Sequence, residues 1–338
     1  MLDGFLLKLR GGQSLSVEES RAAFDVIFTG KVSDAVLGEF LLRLHKKGET
    51  VDEIRGAVVS MREKALTIEA PAHAIDIVGT GGDARGTYNI STAVAFVVAA
   101  CGVPVAKHGN RAATSKSGSS DVLVALGVNL EPSLPLLERC LDEAGLCFMF
   151  APRHHPAIRS VAAVRKKLGV RTIFNLLGPM TNPANVKRHL IGVYAKEWLR
   201  PITEVLQTLG SQAAWVARGH DGMDEISTIA ASDVVTLKDG AIAELTVLPE
   251  NVGIVPPILA QLQGGDADYN AVAIHRLLLG EKSAYRDAVL LNASAALVIS
   301  GKVADLQEGL VLAGDSLDSG AARGTLEKVI EVTNRAFA

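Results

Sequence analysis

Glycines and small hydroxyl residues follow an apolar run near residue 76 of the chain. The stretch DIVGTGGDARGTYNIST contains Gly79, Gly81, Gly82, Thr87, Asn89, Ser91 and Thr92. Backbone N–H groups of glycine loops bind anions, and so does the N-terminus of a following helix. The stretch therefore predicts a phosphate site, with Ser91 and Thr92 at the helix cap. Taken alone, it is also compatible with a flexible loop exposed to solvent.

The pattern Gly79-x-Gly81-x-x-Ala84 formally fits the glycine fingerprint of dinucleotide-binding proteins. That fingerprint requires the helix to begin within the motif and an acidic residue about 20 positions later. Here the apolar helix is predicted to begin only at Ser91, and the next strand ends in Lys107. No G-K-[ST] follows the glycines, so a Walker A loop is excluded as well. A cation at the end of the second strand favours a phosphate group, rather than a ribose diol, as its ligand.

A second stretch of the same character follows the next predicted strand. KHGNRAATSKSGSSD, residues 107–121, combines three cations and a histidine with serines, threonine and glycine. Because the carboxyl ends of adjacent parallel strands meet at one edge, we expect the two loops to lie together. Two such loops after consecutive strands favour a binding site over a plain solvated surface.

Carboxylates cluster in RGHDGMDEIS, residues 218–227, after another predicted strand. Asp221, Asp224 and Glu225 would repel each other beside a phosphate unless a cation lay between them. Mg2+ takes one or two carboxylates together with phosphate oxygens and water. The cluster therefore predicts a magnesium site, with a charged turn as the alternative.

Two neighbouring histidines and one arginine lie in the stretch FAPRHHPAIRSVAAVRKKLG. His154 and His155 lack the i, i+4 spacing of a helical zinc pair, so they do not favour a metal site. Arg165 lies on a predicted helix and could bind a carboxylate with two hydrogen bonds. Its spacing alone is equally compatible with an ordinary surface residue.

The elements that must position these residues fall into two parts. Residues 1–70 are predicted to be helical only, beginning with a helix rather than a signal peptide at MLDGFLLKLRGGQ. Ser16 with Glu19 predicts a capping box, and Ser33 and Thr50 are predicted N-caps of two further helices. We expect a small α-helical domain here, to which about 156–187 contribute.

From Pro71 the pattern alternates between strands and helices, which predicts a mostly parallel sheet. A hairpin is expected with its turn at Asp239-Gly240. Two helices, near 284–299 and 321–337, are expected at the end of the chain. The fold class is therefore α/β, with a small N-terminal α-helical domain and a larger domain, 71–338, whose mostly parallel central sheet is flanked by helices.

Composition narrows the classes of function. The chain has 338 residues and a formal net charge of -3, which disfavours a basic nucleic-acid-binding surface. Its three cysteines are an odd number in apolar surroundings, which fits a reducing cytoplasm better than a disulfide framework. The longest apolar run, 93–101, is roughly half the length of a membrane span, so no membrane partner is expected.

Taken together, the motifs resemble those of the anthranilate phosphoribosyltransferases. DIVGTGGD with TYNIST, KHGNR with SKSGSSDVL, HHPA, LGVRTIFNLLGPMTNP and GHDGMDE follow the order and spacing of that family over nearly the whole chain. The resemblance implies a tryptophan-pathway transferase that joins anthranilate to phosphoribosyl diphosphate and releases diphosphate. It also implies a homodimer that pairs through the α-helical domains.

The resemblance also implies roles for individual residues. The phosphoribosyl diphosphate site would comprise Gly79, Gly82, Asp83, Thr87, Asn89, Ile90, Ser91, Thr92, Lys107, Ser115 and Ser119. Anthranilate would contact Gly79, His108, Asn110 and Arg165. Two Mg2+ ions would be held by Ser91, Asp224 and Glu225, so capping and metal binding would compete for the Ser91 hydroxyl. No side chain is expected to form a covalent intermediate.

The sequence departs from the family pattern at five positions, none of them charged or metal-binding. They are Ala84, Tyr88, Ala112, Thr114 and Ser120. Two other functions remain as alternatives, because they occur among relatives that share the fold. A pyrimidine nucleoside phosphorylase shares the fold and a similar K-x-G/S-x-R loop, but it needs no acidic pair for a diphosphate. A non-catalytic relative that binds nucleic acid would be expected to lack the GTGGD and DE motifs.

Overall fold

Four amphipathic helices form the N-terminal part of the chain in the computed structural model, which describes residues 2–111 and 116–335. Each helix buries the apolar residues that recur at helical spacing along it. Their bounds are α1 Asp3–Arg10, α2 Val17–Phe28, α3 Asp34–Lys47 and α4 Val51–Glu63. The helical prediction for this part of the chain is confirmed.

The caps of these helices differ from one another. Ser16 and Glu19 form the predicted capping box of α2, and Thr50 forms one with Glu53 at the start of α4. Ser33 occupies the N-cap position of α3, but its side chain makes no capping hydrogen bond. Two of the three caps therefore satisfy free N–H groups of a first turn through side chains.

Seven strands form one sheet in the described part of the chain. They are β1 Ile75–Gly79, β2 Val105–Gly109, β3 Leu146–Phe150, β4 Arg188–Gly192, β5 Ala213–Gly219, β6 Ser232–Lys238 and β7 Ala241–Val247. Their order is β3-β2-β1-β4-β5-β6-β7. The first five strands in this order are parallel, whereas β6 and β7 are antiparallel to their neighbours. The predicted mostly parallel sheet is confirmed.

The predicted hairpin joins β6 to β7. Its turn residues, Asp239 and Gly240, have φ angles of +49° and +80°. Positive φ at both central positions is the geometry of a type I′ turn, which Asp-Gly favours. The local sequence therefore determines the antiparallel edge of the sheet.

Eleven further α-helices in the described ranges surround the sheet or connect its strands. They are α5 Ile90–Ala100, α6 Ser119–Ala125, α7 Leu134–Ala144, α8 Ala151–His154, α9 Arg159–Leu168, α10 Phe174–Leu177, α11 Leu199–Thr208, α12 Ala267–Leu278, α13 Ala284–Ile299, α14 Leu306–Asp318 and α15 Ala321–Thr333. The two helices predicted near the end of the chain are α13 and α15. No helix within residues 2–111 and 116–335 combines the length and the apolar character that crossing a bilayer requires.

Helices α12 and α14 were not predicted. Each begins after an aspartate, Asp266 or Asp305, whose side chain accepts a backbone hydrogen bond in the first turn. An aspartate before an apolar periodic segment is a known helix start signal, so both helices could have been predicted from the sequence.

Two buried apolar clusters hold the fold together. One joins β1–β3 to α5, α13 and α15, and the other joins the four N-terminal helices to α9–α11 and to strands β4–β6. In the second cluster the Phe174 ring lies 5.7 Å from the Phe24 ring and 6.1 Å from the Phe28 ring. The segment that carries α9 and α10 thus packs on the N-terminal helices and reaches the end of the sheet.

Candidate active site

The carboxyl ends of β1 and β2 bring the two phosphate-binding stretches to one edge of the sheet. These strands are parallel neighbours, so the first loop (residues 80–89) and the second loop (residues 110–118, described at 110–111 and 116–118) leave the sheet side by side. The acidic turn (residues 220–227) follows β5, which is separated from β1 only by β4. The expectation that these segments share one edge is confirmed.

Four residues of the first loop have left-handed backbone conformations. The φ angles are +67° at Gly81, +80° at Gly82, +65° at Gly86 and +57° at Ala84. A side chain in this region costs roughly 1–2 kcal/mol, which explains the glycines. Ala84, where the family resemblance implies glycine, therefore carries backbone strain within the loop.

Helix α5 begins one residue earlier than predicted. Its N-cap is Asn89 and its first helical residue is the buried Ile90, so the prediction that Ser91 caps the helix is wrong. The Ser91 hydroxyl accepts a hydrogen bond from Lys107 Nζ at 3.3 Å, and the Ser91 backbone opposes the upward shift of the Glu225 pKa. The expected competition between capping and metal binding at this hydroxyl does not arise.

Lys107 is buried at the end of β2 and faces the start of α5. Its ammonium group donates to the carbonyl oxygen of Ile77 as well as to Ser91. Burial lowers the pKa of Lys107, while the carboxylates of Asp76 and Glu225 act in the opposite direction. A buried cation beside a glycine loop favours an anionic ligand at this edge.

Asp76 is a structural residue of the site that the sequence analysis did not single out. It is fully buried in β1, and its carboxylate accepts hydrogen bonds from His108 N–H at 3.1 Å and from Asn182 Nδ2 at 2.7 Å. Burial raises the pKa of Asp76 to about 6, although Lys107 opposes the shift. The only sequence signal was a charged residue inside an apolar strand, which requires a partner.

Asp224 and Glu225 of the acidic turn lie against the first loop. Asp224 Oδ2 accepts a hydrogen bond from Gly81 N–H at 2.8 Å, and a Cβ atom at Gly79 would lie 2.7 Å from the same oxygen. Burial raises the pKa values of both carboxyl groups, and repulsion from Asp83 and between the two groups adds to the shift. Gly79 and Gly81 thus bring the backbone within contact of this acidic pair.

The third acid of the predicted cluster, Asp221, has a different role. Its carboxylate accepts hydrogen bonds from Ser227 Oγ at 2.8 Å and from Met223 N–H at 3.3 Å. Asp221 therefore shapes the acidic turn, whereas Asp224 and Glu225 face the loops.

The donor atoms of the acidic pair fit Mg2+. Carboxylates and a hydroxyl such as that of Ser91 are the hard oxygen ligands that this ion takes. Among residues 2–111 and 116–335, no group of three or more His, Cys, Asp and Glu side chains forms a complete ligand set. Phosphate oxygens and water would therefore supply the other ligands, as is usual for Mg2+. A cation would also relieve the repulsion that raises the two pKa values.

The second loop is tied to the start of α6. The carbonyl oxygen of Asn110 accepts from Ser119 Oγ and from Ser120 N–H, both at 3.3 Å. Asn89 Nδ2 of the first loop donates to the Ser117 carbonyl at 3.3 Å, so the two loops contact each other directly. Three positions named in the sequence analysis, Ala112, Thr114 and Ser115, lie outside the described residues.

The residues expected at the anthranilate site come from the ends of β1 and β2, the second loop and α9. His108 is buried at the end of β2 with its ring 5.1 Å from that of His155, and burial lowers the pKa of both imidazoles. Arg165 projects from α9 with its guanidinium 5.2 Å from the centre of the Phe174 ring. Burial lowers the pKa of Arg165, so this group is partly removed from water.

Arg171 connects the α9–α10 segment to the first loop and was also missed. Its Nη2 atom donates to the Gly82 carbonyl at 2.6 Å, and its guanidinium lies 4.0 Å from the centre of the Tyr194 ring. The Tyr194 backbone N–H in turn donates to Thr80 Oγ1 at 3.0 Å. The motif LGVRTIFN thus contains a cation that holds the glycine loop, which no local pattern indicates.

Two family models match the chain. Residues 4–65 match the model described as the glycosyl transferase family, helical bundle domain, and residues 71–323 match the glycosyl transferase family, a/b domain. Together the two models span the N-terminal helices and the sheet with its loops.

Individual relatives agree with the family models. The chain is 51% identical to an anthranilate phosphoribosyltransferase of Chelativorans sp. over 99% of this chain and 98% of the relative. It is 53% identical to one of Beijerinckia indica over 98% and 97% of the two chains.

Solved structures of the same family superpose on this fold. The enzyme of Thermus thermophilus has a TM-score of 0.92 at 40% identity, covering 98% of this chain and 99% of the other. That of Saccharomyces cerevisiae in complex with PRPP and Mg has a TM-score of 0.90 at 26% identity, covering 98% and 97%. Similarity of this extent establishes that the chain belongs to the anthranilate phosphoribosyltransferase family.

Proposed function

We propose that this chain transfers the phosphoribosyl group of phosphoribosyl diphosphate to the amine of anthranilate and releases diphosphate. The observation that carries the proposal is the convergence of the first loop, Lys107 and the Asp224–Glu225 pair at one sheet edge. A ligand with several phosphate groups complements this combination of N–H donors, a buried cation and a site for Mg2+. The relatives described above support the same reaction.

The phosphoribosyl diphosphate site comprises the first loop, the start of α5 and part of the second loop. Gly79 and Gly82 allow close approach, and Asp83, Thr87 and Asn89 supply polar groups. Ile90, Ser91 and Thr92 present the N-terminus of α5, whose N–H groups favour phosphate. Lys107 and Ser119, together with Ser115 of the same loop, complete the set.

Ser91, Asp224 and Glu225 are the residues that would hold Mg2+, in the proposal as two ions shared with the diphosphate. Bound there, Mg2+ would offset the charge that develops on the departing diphosphate. The acidic pair also keeps the site from accepting a phosphate ligand without its cation, because bare carboxylates repel phosphate. The protein's own contribution is to hold these oxygens against Gly79 and Gly81.

Anthranilate is proposed to lie between β2 and α9. Arg165 would bind its carboxylate, while Asn110 and His108 would line the pocket and Gly79 would border it. Because the His108 pKa is lowered, its ring is neutral near pH 7 and can hydrogen-bond the substrate without adding charge. The amine of anthranilate is then oriented toward the ribose.

The reaction breaks the C1–O bond to diphosphate and forms a C1–N bond with the amine, which then loses a proton. The ribose acquires oxocarbenium character, and the arylamine is already neutral at pH 7. No side-chain nucleophile is required, so catalysis rests on orientation and on electrostatic stabilisation of the leaving group. In this proposal no catalytic residue forms a covalent bond to substrate.

The chain is further proposed to act in the cytoplasm as a homodimer formed through the N-terminal helices. Leu7 of α1 is 70% exposed and Leu42 of α3 is 42% exposed. Apolar side chains on two helices of the bundle would be covered by a second copy. Sedimentation velocity on the full chain distinguishes the dimer from the monomer.

Consumption of anthranilate fluorescence tests the proposed reaction. Fluorescence should fall only when phosphoribosyl diphosphate and Mg2+ are both present, and diphosphate should appear in equal amount. Phosphorolysis of thymidine or uridine would favour the phosphorylase instead. Salt-sensitive DNA binding without turnover would favour the nucleic-acid-binding relative.

A further inference from the structure

Residues 262–270 lie along the first loop although they come from the far end of the chain. Gly264 N–H and Gln263 Nε2 donate to the Gly86 carbonyl at 2.9 and 2.6 Å. Tyr88 N–H donates to the Leu262 carbonyl at 3.0 Å. Helix α12 begins directly after this contact, so its first turn is held beside the loop that carries the phosphate-binding residues.

Asn270 of α12 is buried, with 2% of its surface exposed, and its side-chain amide has a defined orientation. Its Oδ1 accepts a hydrogen bond from Gly265 N–H at 2.8 Å, and its Nδ2 donates to Asn89 Oδ1 at 2.9 Å. Because an N–H group fixes the side of the oxygen, the NH2 group must face Asn89.

The Asn89 amide is oriented in turn by Asn270. Since Asn89 Oδ1 accepts from Asn270, its Nδ2 is left to donate to the Ser117 carbonyl of the second loop at 3.3 Å. The backbone carbonyl of Asn89 also accepts from Tyr285 Oη at 3.2 Å. A directed series of hydrogen bonds therefore runs from Gly265 through two buried or partly buried amides to the second loop.

We propose that Asn270 is a positioning residue for phosphoribosyl diphosphate: through the Asn89 amide it holds the first loop against the second. The inference rests on the proposed function, since both loops belong to the site described above. According to this inference, the C-terminal part of the chain affects substrate affinity. Asn270 does so through Asn89 and without contacting the substrate itself.

The substitution Asn270→Asp separates this role from packing. The aspartate has nearly the same shape and still accepts from Gly265 N–H, but it presents an oxygen to Asn89 Oδ1 in place of an NH2 group. Asn89 must then rotate its amide to donate to residue 270. The rotation turns Asn89 Oδ1 toward the Ser117 carbonyl, so two acceptors face each other and this hydrogen bond between the loops is lost.

The expected result is an increase of about tenfold in the KM for phosphoribosyl diphosphate, the size expected for the loss of one hydrogen bond. The KM for anthranilate should change less than about twofold, because Asn110, the anthranilate residue of the second loop, keeps its own hydrogen bonds from Ser119 and Ser120. Titration calorimetry with phosphoribosyl diphosphate and Mg2+ should show the same loss of affinity, independently of turnover. In an Asn89→Ala background, Asn270→Asp should have little further effect, because its route to the second loop is already absent.

Asp266→Ala is the matched control on the same helix. Asp266 accepts a hydrogen bond from Tyr269 N–H at 2.9 Å as the N-cap of α12, and within the described residues no hydrogen bond links its side chain to Asn89. The control should lower Tm and leave both KM values unchanged. Asn270→Asp should also lower Tm, because it places a carboxylate at a buried position, but it alone should raise the KM for phosphoribosyl diphosphate.

Three outcomes overturn the inference: an unchanged affinity for phosphoribosyl diphosphate in Asn270→Asp, equal increases in both KM values, or an undiminished effect in the Asn89→Ala background. Failure of the proposed function has a different signature. In that case the wild-type chain would bind phosphoribosyl diphosphate without consuming anthranilate, and calorimetry would still compare Asn270→Asp with wild type.

Discussion

A buried carboxylate of the N-terminal helices and the half-buried acidic pair at the sheet edge have different surroundings. Glu53 of α4 is fully buried and accepts hydrogen bonds from the N–H groups of Leu15 at 3.0 Å and Thr50 at 2.8 Å. Lys47 adds an ion pair with Glu53 at 2.9 Å. Donors from three residues therefore compensate the desolvation of this one charge.

At the sheet edge the negative charges are compensated less fully: Asp224 accepts one hydrogen bond from Gly81 N–H, and Lys107 lowers the pKa of Glu225 only in part. Asp224 and Glu225 repel each other and Asp83, and their pKa values are raised. Thr92 Oγ1 and His108 Nε2 are buried with no hydrogen-bond partner in the described part of the chain. Buried polar atoms are normally paired, so these two groups cost stability at the proposed site, whereas Glu53 has partners for its charge.

The largest expected effect follows from removing the acidic pair. Asp224→Ala with Glu225→Ala should lower kcat by about 10³-fold, because the charge of the leaving diphosphate is no longer offset. The free energy of unfolding should stay constant or rise, since two repelling, partly buried carboxyl groups are removed. Steady-state kinetics at saturating Mg2+ and urea unfolding measure the two quantities.

The matched control for this double variant is Asp221→Asn in the same turn, where the acid bonds to Ser227 and Met223. It should reduce stability more than kcat. Full activity of the double variant at saturating Mg2+ would show that the acidic pair has no role in the reaction.

Replacing Asp76 is expected to affect both the stability of the fold and the activity. Asp76→Ala leaves Lys107 buried without its nearby acid and removes the acceptor for His108 N–H, which should cost about 3 kcal/mol of unfolding free energy. Catalytic efficiency should fall as well, because Lys107 is part of the proposed site. Asp76→Asn retains an acceptor for His108 and should lose less stability. Wild-type unfolding of Asp76→Ala would show that Lys107 does not depend on this carboxylate.

Arg165 tests whether the α9 side of the edge binds the carboxylate of anthranilate. Arg165→Met keeps packing against Phe174 but removes the charge, and it should raise the KM for anthranilate by about tenfold to a hundredfold. The KM for phosphoribosyl diphosphate should be nearly unchanged. Lys166→Ala, an exposed neighbour on the same helix, provides the control. Equal increases in both KM values would contradict the carboxylate role.

Structural features that depend on residues close together in the sequence could be predicted from it. The capping boxes of α2 and α4 and the Asp239-Gly240 turn depend on residues a few positions apart, and the sequence predicts the α2 box, the Thr50 cap and the turn. The meeting of the two loops is also predicted, because the ends of adjacent parallel strands must coincide.

Contacts between distant residues could not be predicted in this way. Asn182 lies 106 residues from its partner Asp76, and Asn270 lies 181 residues from Asn89. Arg171 reaches the carbonyl of Gly82 from another part of the chain. Such pairs leave no periodic or local pattern, and only the folded chain brings them together. The N-cap of α5 was misplaced for a related reason: tertiary contacts with Tyr285 and Asn270 fix Asn89 at the helix start.

Replacing Thr50 is expected to have the smallest effect, a loss of stability without a change in activity. Thr50→Ala removes the hydroxyl that accepts from Glu53 N–H at 3.3 Å and donates to the Glu53 carboxylate at 3.0 Å, which should cost about 1 kcal/mol of unfolding free energy. Activity should be unchanged, since both of these hydrogen bonds lie within the N-terminal helices. Ser33→Ala is the control, because Ser33 holds the same cap position in α3 without a capping bond. A loss of equal size in both variants would mean that helix propensity, rather than the cap, sets the stability of these helices.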